Sequence, residues 1–144
     1  MEITGEDLKL IGLFESVTGV MPSDMVTLEE GIVFLVDERS IGKAIGKKGA
    51  NIQRLRQSFN NRQILIAKDA AGPEEFLKGF FNNIEILSFE IREAPGQKVA
   101  FLTIPDAQRG IAIGKGGLRV KAAKAIMKRR FNTDVSLKTR RTEQ

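Results

Sequence analysis

Residues 41–52 read IGKAIGKKGANI, and residues 109–120 read RGIAIGKGGLRV. The phrase is the same, 68 positions apart in a chain of 144 residues. Setting Gly46 on Gly114 aligns Gly42 with Gly110, Ala44 with Ala112, Ile45 with Ile113, Lys47 with Lys115, Gly49 with Gly117 and Ile52 with Val120. Upstream, Val33-Phe34-Leu35-Val36 falls on Phe101-Leu102-Thr103-Ile104. Two units of roughly 70 residues thus fill nearly the whole chain. A solenoid needs three or more repeats to bury its faces, so each unit is expected to be a small domain with its own core.

Periodicity gives the order of elements in each unit. Thr4 with Asp7 resembles a capping box, and Leu10, Phe14 and Val17 share one helical face. Met25 to Leu28 and Ile32 to Val36 read as a hairpin across Glu29-Glu30-Gly31. A short helix should lead to the first glycine loop, and the next helix places Ile52, Leu55 and Phe59 on its buried side. Ile64 to Ala67 closes the unit as a strand. In the second unit Pro73 suits a first helical turn, with Glu74 and Glu75 complementing the dipole and Asn82-Asn83 as the stop. Leu87, Phe89 and Ile91 alternate as a half-buried strand, and Ala94-Pro95-Gly96-Gln97 turns into a strand over Val99 to Ile104. After the second loop Val120, Ala123 and Met127 form an apolar helical stripe beside the basic stripe Lys121, Lys124 and Lys128, and Val135 and Leu137 mark a last strand. Each unit reads α-β-β-α-α-β, an α+β sandwich of helices on a small sheet. The boundary falls near Ala70-Ala71-Gly72, giving units 1–70 and 71–144, and the absence of a Ser/Gly-rich linker predicts that they are rigidly apposed.

Charge follows the same repeat. Residues 1–38 hold nine acidic side chains and one basic, whereas 39–68 hold eight basic and no acidic. Residues 69–106 hold seven acidic and three basic, and 107–133 hold eight basic and no acidic. Each basic window contains one glycine loop, the footprint expected of a polyanion binder. Cysteine and histidine are both absent, which removes disulfides, thiolate metal sites and the commonest general base and metal ligand. No enzyme is expected, since the adjacent carboxylates Glu29-Glu30 and Asp37-Glu38 have no such partner and read as surface charge. No cofactor, small-molecule substrate or membrane is expected either. The N-terminus lacks a signal region and no apolar run is long enough to span a bilayer, so a soluble cytoplasmic protein is expected.

The loops have three chemical readings. The plainest is a tight corner between helices, where glycine supplies positive φ and close approach. A nucleotide-phosphate loop would need G-x-x-x-x-G-K-[ST]. Here Gly42-x-x-x-Gly46-Lys47-Lys48 and Gly110-x-x-x-Gly114-Lys115-Gly116 are one residue short and lack the hydroxyl. A G-x-x-G clamp on a nucleic-acid backbone fits best: bare backbone lets phosphates approach, the following helix offers its N-terminal amides, and lysines add charge. Its residues are Gly46, Lys47, Lys48 and Gly49, then Gly114, Lys115, Gly116 and Gly117.

The phrases Ile45 to Ile52 and Ile113 to Val120 resemble the signature of KH domains, and α-β-β-α-α-β is the order of the type II, prokaryotic form. The doubled context is similar to the tandem KH module of the NusA-like family. It is carried by Val36-Asp37-Glu38, by Lys68-Asp69-Ala70-Ala71-Gly72-Pro73-Glu74-Glu75-Phe76, and by Thr103-Ile104-Pro105-Asp106-Ala107-Gln108 with Ala112 to Gly117. Over roughly residues 5–140 the chain looks like the short archaeal form. The polymerase-binding and S1 domains of the bacterial proteins find no room in it, so their polymerase docking and antitermination are not carried over.

The resemblance implies RNA binding in transcription elongation or termination, with single-stranded RNA as partner and RNA polymerase or the transcription complex as a second candidate. Each loop would seat about four nucleotides. Bases would enter an apolar groove whose candidates are Ile45 and Ile52 in the first unit and Ile113 and Val120 in the second, each equally readable as core. Arg54, Arg56, Arg119 and Lys121 are further phosphate candidates, with Arg119 expected to compensate for Gly116. Most of the nine Phe sit at periodic core positions, so stacking platforms are not expected, and binding should rest on groove shape, hydrogen bonds and avidity. A ribosome-associated or RNA-processing KH protein, or a protein-interaction module without RNA binding, remain alternatives.

Overall fold

The first helix starts where its capping signal sits. In the computed structural model, which describes residues 4–141, the Asp7 amide donates to the Thr4 hydroxyl (3.0 Å) and the Thr4 amide donates to the Asp7 carboxylate (3.1 Å). This reciprocal cap opens α1, Gly5–Thr18, which stops at Gly19 in the left-handed conformation. Strands β1, Asp24–Leu28, and β2, Gly31–Val36, form the expected hairpin, and β3, Ile64–Lys68, pairs parallel to β2 in a sheet of order β1-β2-β3. Between β2 and β3 come the five-residue helix α2, Ile41–Ile45, the glycine loop, and α3, Ala50–Ser58. The chain divides into two compact units, Met1–Asp69 and Ala70–Gln144.

Alternation along β2 sends Ile32, Phe34 and Val36 to the helix side, where they meet Leu10 and Phe14 of α1 and Leu55 of α3. Phe34 stacks on Phe14 at 4.2 Å and lies 6.1 Å from Phe59, tying both helices to the central strand. The opposite face of β2 is covered too: Val33 and Leu35 are fully buried.

The second unit repeats the plan. Helix α4, Pro73–Phe80, ends two residues before the expected Asn82-Asn83 stop. Strands β4, Ser88–Ala94, β5, Gln97–Pro105, and β6, Asp134–Arg140, form a sheet of order β4-β5-β6, the first pair antiparallel and the second parallel. Helices α5, Arg109–Ile113, and α6, Leu118–Phe131, flank the second glycine loop. Leu118, Ala122, Ala123, Ile126 and Met127 of α6 are buried, so its apolar face is broader than the three expected positions, with Val120 only at its margin. Strand β4 is more open than its alternation suggested: Phe89 is half-buried, and Ile91 is 36% exposed.

Both glycine loops turn a corner that only glycine can make. Gly46 has φ 80° and ψ 165°, and Gly114 φ 80° and ψ 169°, a region closed to other residues. A β-carbon on Gly46 would lie 2.9 Å from the Asn51 amide nitrogen, and one on Gly114 would lie 2.8 Å from the Arg119 β-carbon. Asn51 and Arg119 are equivalent in the repeat, and each reaches back to an equivalent carbonyl. The Asn51 side-chain amide donates to Lys43 O (3.0 Å), and the Arg119 guanidinium donates to Ile111 O (3.3 Å). The corner is thus pinched by the absence of a side chain on one side and a hydrogen bond across the other.

Alanine at Gly46 or Gly114 is expected to lower the stability of its unit by roughly 3 kcal/mol, from strain and overlap together. At Gly49, where a β-carbon meets open space, strain acts alone and the loss should be about 1 kcal/mol. Thermal unfolding followed by circular dichroism checks the order, and equal losses would remove the close approach from the account. Arg119→Ala should cost about 2 kcal/mol by stranding its acceptors, and Arg119→Lys should recover little because the fork is lost.

Candidate nucleic-acid interface

The two loops share a backbone torsion by torsion. After the first glycine, the third loop position is left-handed in both, Lys48 at φ 55° and Gly116 at φ 66°. The second glycine follows in the same region, Gly49 at φ 73° and Gly117 at φ 85°. This explains a feature that reads in the sequence only as a missing cation. Gly116 occupies a position where a β-carbon is disfavoured, and Lys48 holds its charge there against backbone strain on the order of 1 kcal/mol.

Each loop delivers charge and amides to one place. Lys47, Lys48 and Lys115 are exposed. Gly49 and Gly117 are the N-caps of α3 and α6, and neither helix has a side-chain cap. The first amide of each helix donates to a loop carbonyl, Ala50 to Lys47 O and Leu118 to Lys115 O, and the helix dipole adds partial positive charge behind the loop. No acidic residue lies in the first turn of either helix. Exposed lysines and the positive end of a helix dipole together suit an anionic ligand.

The flanking residues divide by position. Ile45 and Ile52 are partly buried and pack against the core of the first unit, while Ala44 beneath them is fully buried. Ile113 and Val120 are partly buried as well, above the fully buried Ala112. These four side chains flank the loops, and Ile45 and Ile52 serve as core edge at the same time. Arg54, Arg56 and Lys121 are exposed on α3 and α6, with the Lys121 stem lying over Gly117. The basic stripe of α6 is partly occupied, since Lys128 pairs with Asp134 at 3.4 Å.

Arg119 is placed differently from its expected role. Its guanidinium turns inward, donates to Phe80 O (3.2 Å), to Asn83 and to Ile111 O, and lies 5.3 Å above the Phe81 ring. Burial lowers its pKa, and its Nε is enclosed without an acceptor. It ties the end of α4 to the start of α6, so the cation counted as compensation for Gly116 is committed inside the unit. Nothing in the sequence marked this, because a long side chain one residue into a helix can turn either way. Asn51, its counterpart, was likewise missed, although its donation to Lys43 O closes the first corner.

Comparison with known proteins places this geometry. The KH domain family matches residues 73–144 and again residues 31–86. The chain is 30% identical to the probable transcription termination protein NusA of Methanococcus vannielii, over 85% of this chain and 70% of that one. The protein of the same description from Methanocaldococcus jannaschii is 28% identical over 90% of this chain and 70% of its own length. That of Halobacterium salinarum is 25% identical over 93% and 95%. Among solved structures, the crystal structure of APE1850 superposes with a TM-score of 0.80 and 32% identity, covering 96% of this chain and all of the other. The chain belongs to the KH domain family, and within it to the NusA-like proteins that carry two such domains.

Proposed function

We propose that this protein binds single-stranded RNA through its two glycine loops and acts as a NusA-like transcription termination and elongation factor. The observation that carries the RNA reading is the pair of uncapped helix N-termini, each behind a bare glycine backbone with exposed lysines. Phosphates would lie across Gly46 to Gly49 and Gly114 to Gly117, about four nucleotides to each loop. Bases would then turn toward the margins formed by Ile45 and Ile52, and by Ile113 and Val120. The transcriptional role rests on the relatives, described as probable transcription termination proteins. In this reading residues 1–70 and 71–144 are the two domains, the setting is cytoplasmic, and RNA polymerase or the transcription complex is the second partner.

Among the described residues no three metal-ligating groups gather, and no helix is long and apolar enough to cross a membrane. The descriptions of the relatives favour transcription termination over the ribosome-associated and protein-interaction alternatives.

The test is fluorescence anisotropy with a random-sequence single-stranded RNA of about 12 nucleotides, long enough for both loops. Lys47→Asp/Lys48→Asp and Lys115→Asp/Gly116→Asp are each expected to weaken binding, with circular dichroism confirming the fold. Unchanged binding in both folded variants overturns the clamp. Removing one contacting cation should also flatten the plot of log K against log salt by about 0.7. Lys47→Gln and Lys115→Gln, measured separately between low and physiological salt, check whether both loops hold phosphate.

A further inference from the structure

The outer faces of the two sheets have diverged. In the first sheet that face carries Val33 and Leu35, both fully buried. Their repeat equivalents are Phe101 and Thr103 on β5, and here both are only partly buried. Phe101 is only partly buried in the centre of the sheet, between Glu90 of β4 and Ser136 of β6 in the strand register. Cations from both neighbouring strands close on its ring. The Arg92 guanidinium lies 5.0 Å from the ring centre and the Lys138 ammonium 4.8 Å from it. Glu90 accepts from Arg92 Nε (2.9 Å) and from a terminal guanidinium nitrogen (3.3 Å). This edge-on grip fixes the guanidinium plane while the side chain stays 66% exposed.

We propose that this face is a base-stacking platform for single-stranded RNA, built from Phe101 and Arg92, with Lys138 meeting the phosphate. The proposal rests on the RNA reading of the loops and extends it to a second surface. An aromatic ring and an arginine plane are the two protein surfaces on which unpaired bases stack. Charge complementarity selects a polyanion as the occupant. Alternation along the strands puts Arg92, Lys138 and Arg140 on this face, and both acidic groups that share it are engaged within the protein. Glu90 is held by Arg92, and Asp134 pairs with Lys128. Thr103 and Ser136 add hydroxyls beside the ring, suited to base edges or ribose. A ring kept only for packing would lie on the inner face, where Leu102 and Ile104 are fully buried.

The full chain is titrated with the same RNA and with a matched oligonucleotide whose bases are removed along its whole length. Phe101→Leu, which keeps an apolar side chain in the strand, is expected to weaken binding of the intact RNA about tenfold. It should leave binding of the abasic strand at the wild-type level, with an unchanged melting midpoint. Lys138→Gln, a surface change that does not alter the core, should weaken both strands alike. If wild type and Phe101→Leu bind the intact RNA equally while the loop variants lose it, the platform is overturned and the loop reading stands. If wild type binds no RNA, the loop reading fails and the platform with it.

Discussion

Helices α2 and α3, like α5 and α6, approach so closely that no side chain fits at the first loop glycine. A β-carbon at Gly46 or Gly114 would sit within 3 Å of the next helix. This constraint fixes the rest of the interface. It forces the chain into the Gly-only region, sets the left-handed turns that follow, and leaves Gly49 and Gly117 as caps without side chains. A capping serine or aspartate at either position would have to adopt the same positive φ, at a cost of about 1 kcal/mol, against a few tenths of a kcal/mol gained over glycine as a cap.

The repeat keeps this corner and changes what surrounds it. Asn51 and Arg119 close it from the same position and onto equivalent carbonyls, one with a short amide and the other with a fork that also reaches Phe80 O and Asn83. Asp37, which turns the chain ahead of α2 by accepting from the Arg39 amide and side chain, is replaced by Pro105 ahead of α5. The carboxylate of Asp37 is held below its ordinary pKa by that arginine, while proline presets the same turn through its ring. The two units also differ in charge at the loop, with a second lysine in the first and a relaxed glycine in the second. Gly116 gives up a cation at a strained torsion, and Arg119 does not return it.

Much of this was legible in the chain itself. The doubled glycine phrase set the repeat, and local pattern placed α1, α3, α4, α6 and the six strands to within a few residues, because each packs one face on a core, while the short helices α2 and α5 followed only from the element order. Thr4 with Asp7 announced a reciprocal cap that depends only on neighbours three residues apart. The two glycine corners followed from local spacing for the same reason.

What the tertiary structure alone decided concerns partners distant in sequence. Periodicity says that Val33 and Leu35 share a face, as do Phe101 and Thr103, but not whether that face is covered. One is fully buried and the other only partly, and this difference leaves the Phe101 ring between two cations. Arg119 reads as a surface charge until α4 brings Phe80 and Asn83 within its reach, about 40 residues away in the chain. Gly116 reads as a lost lysine until its positive φ is known. Sequence determines what is written over a few residues; burial, the direction of long side chains and backbone strain are set by contacts that exist only after the chain has folded.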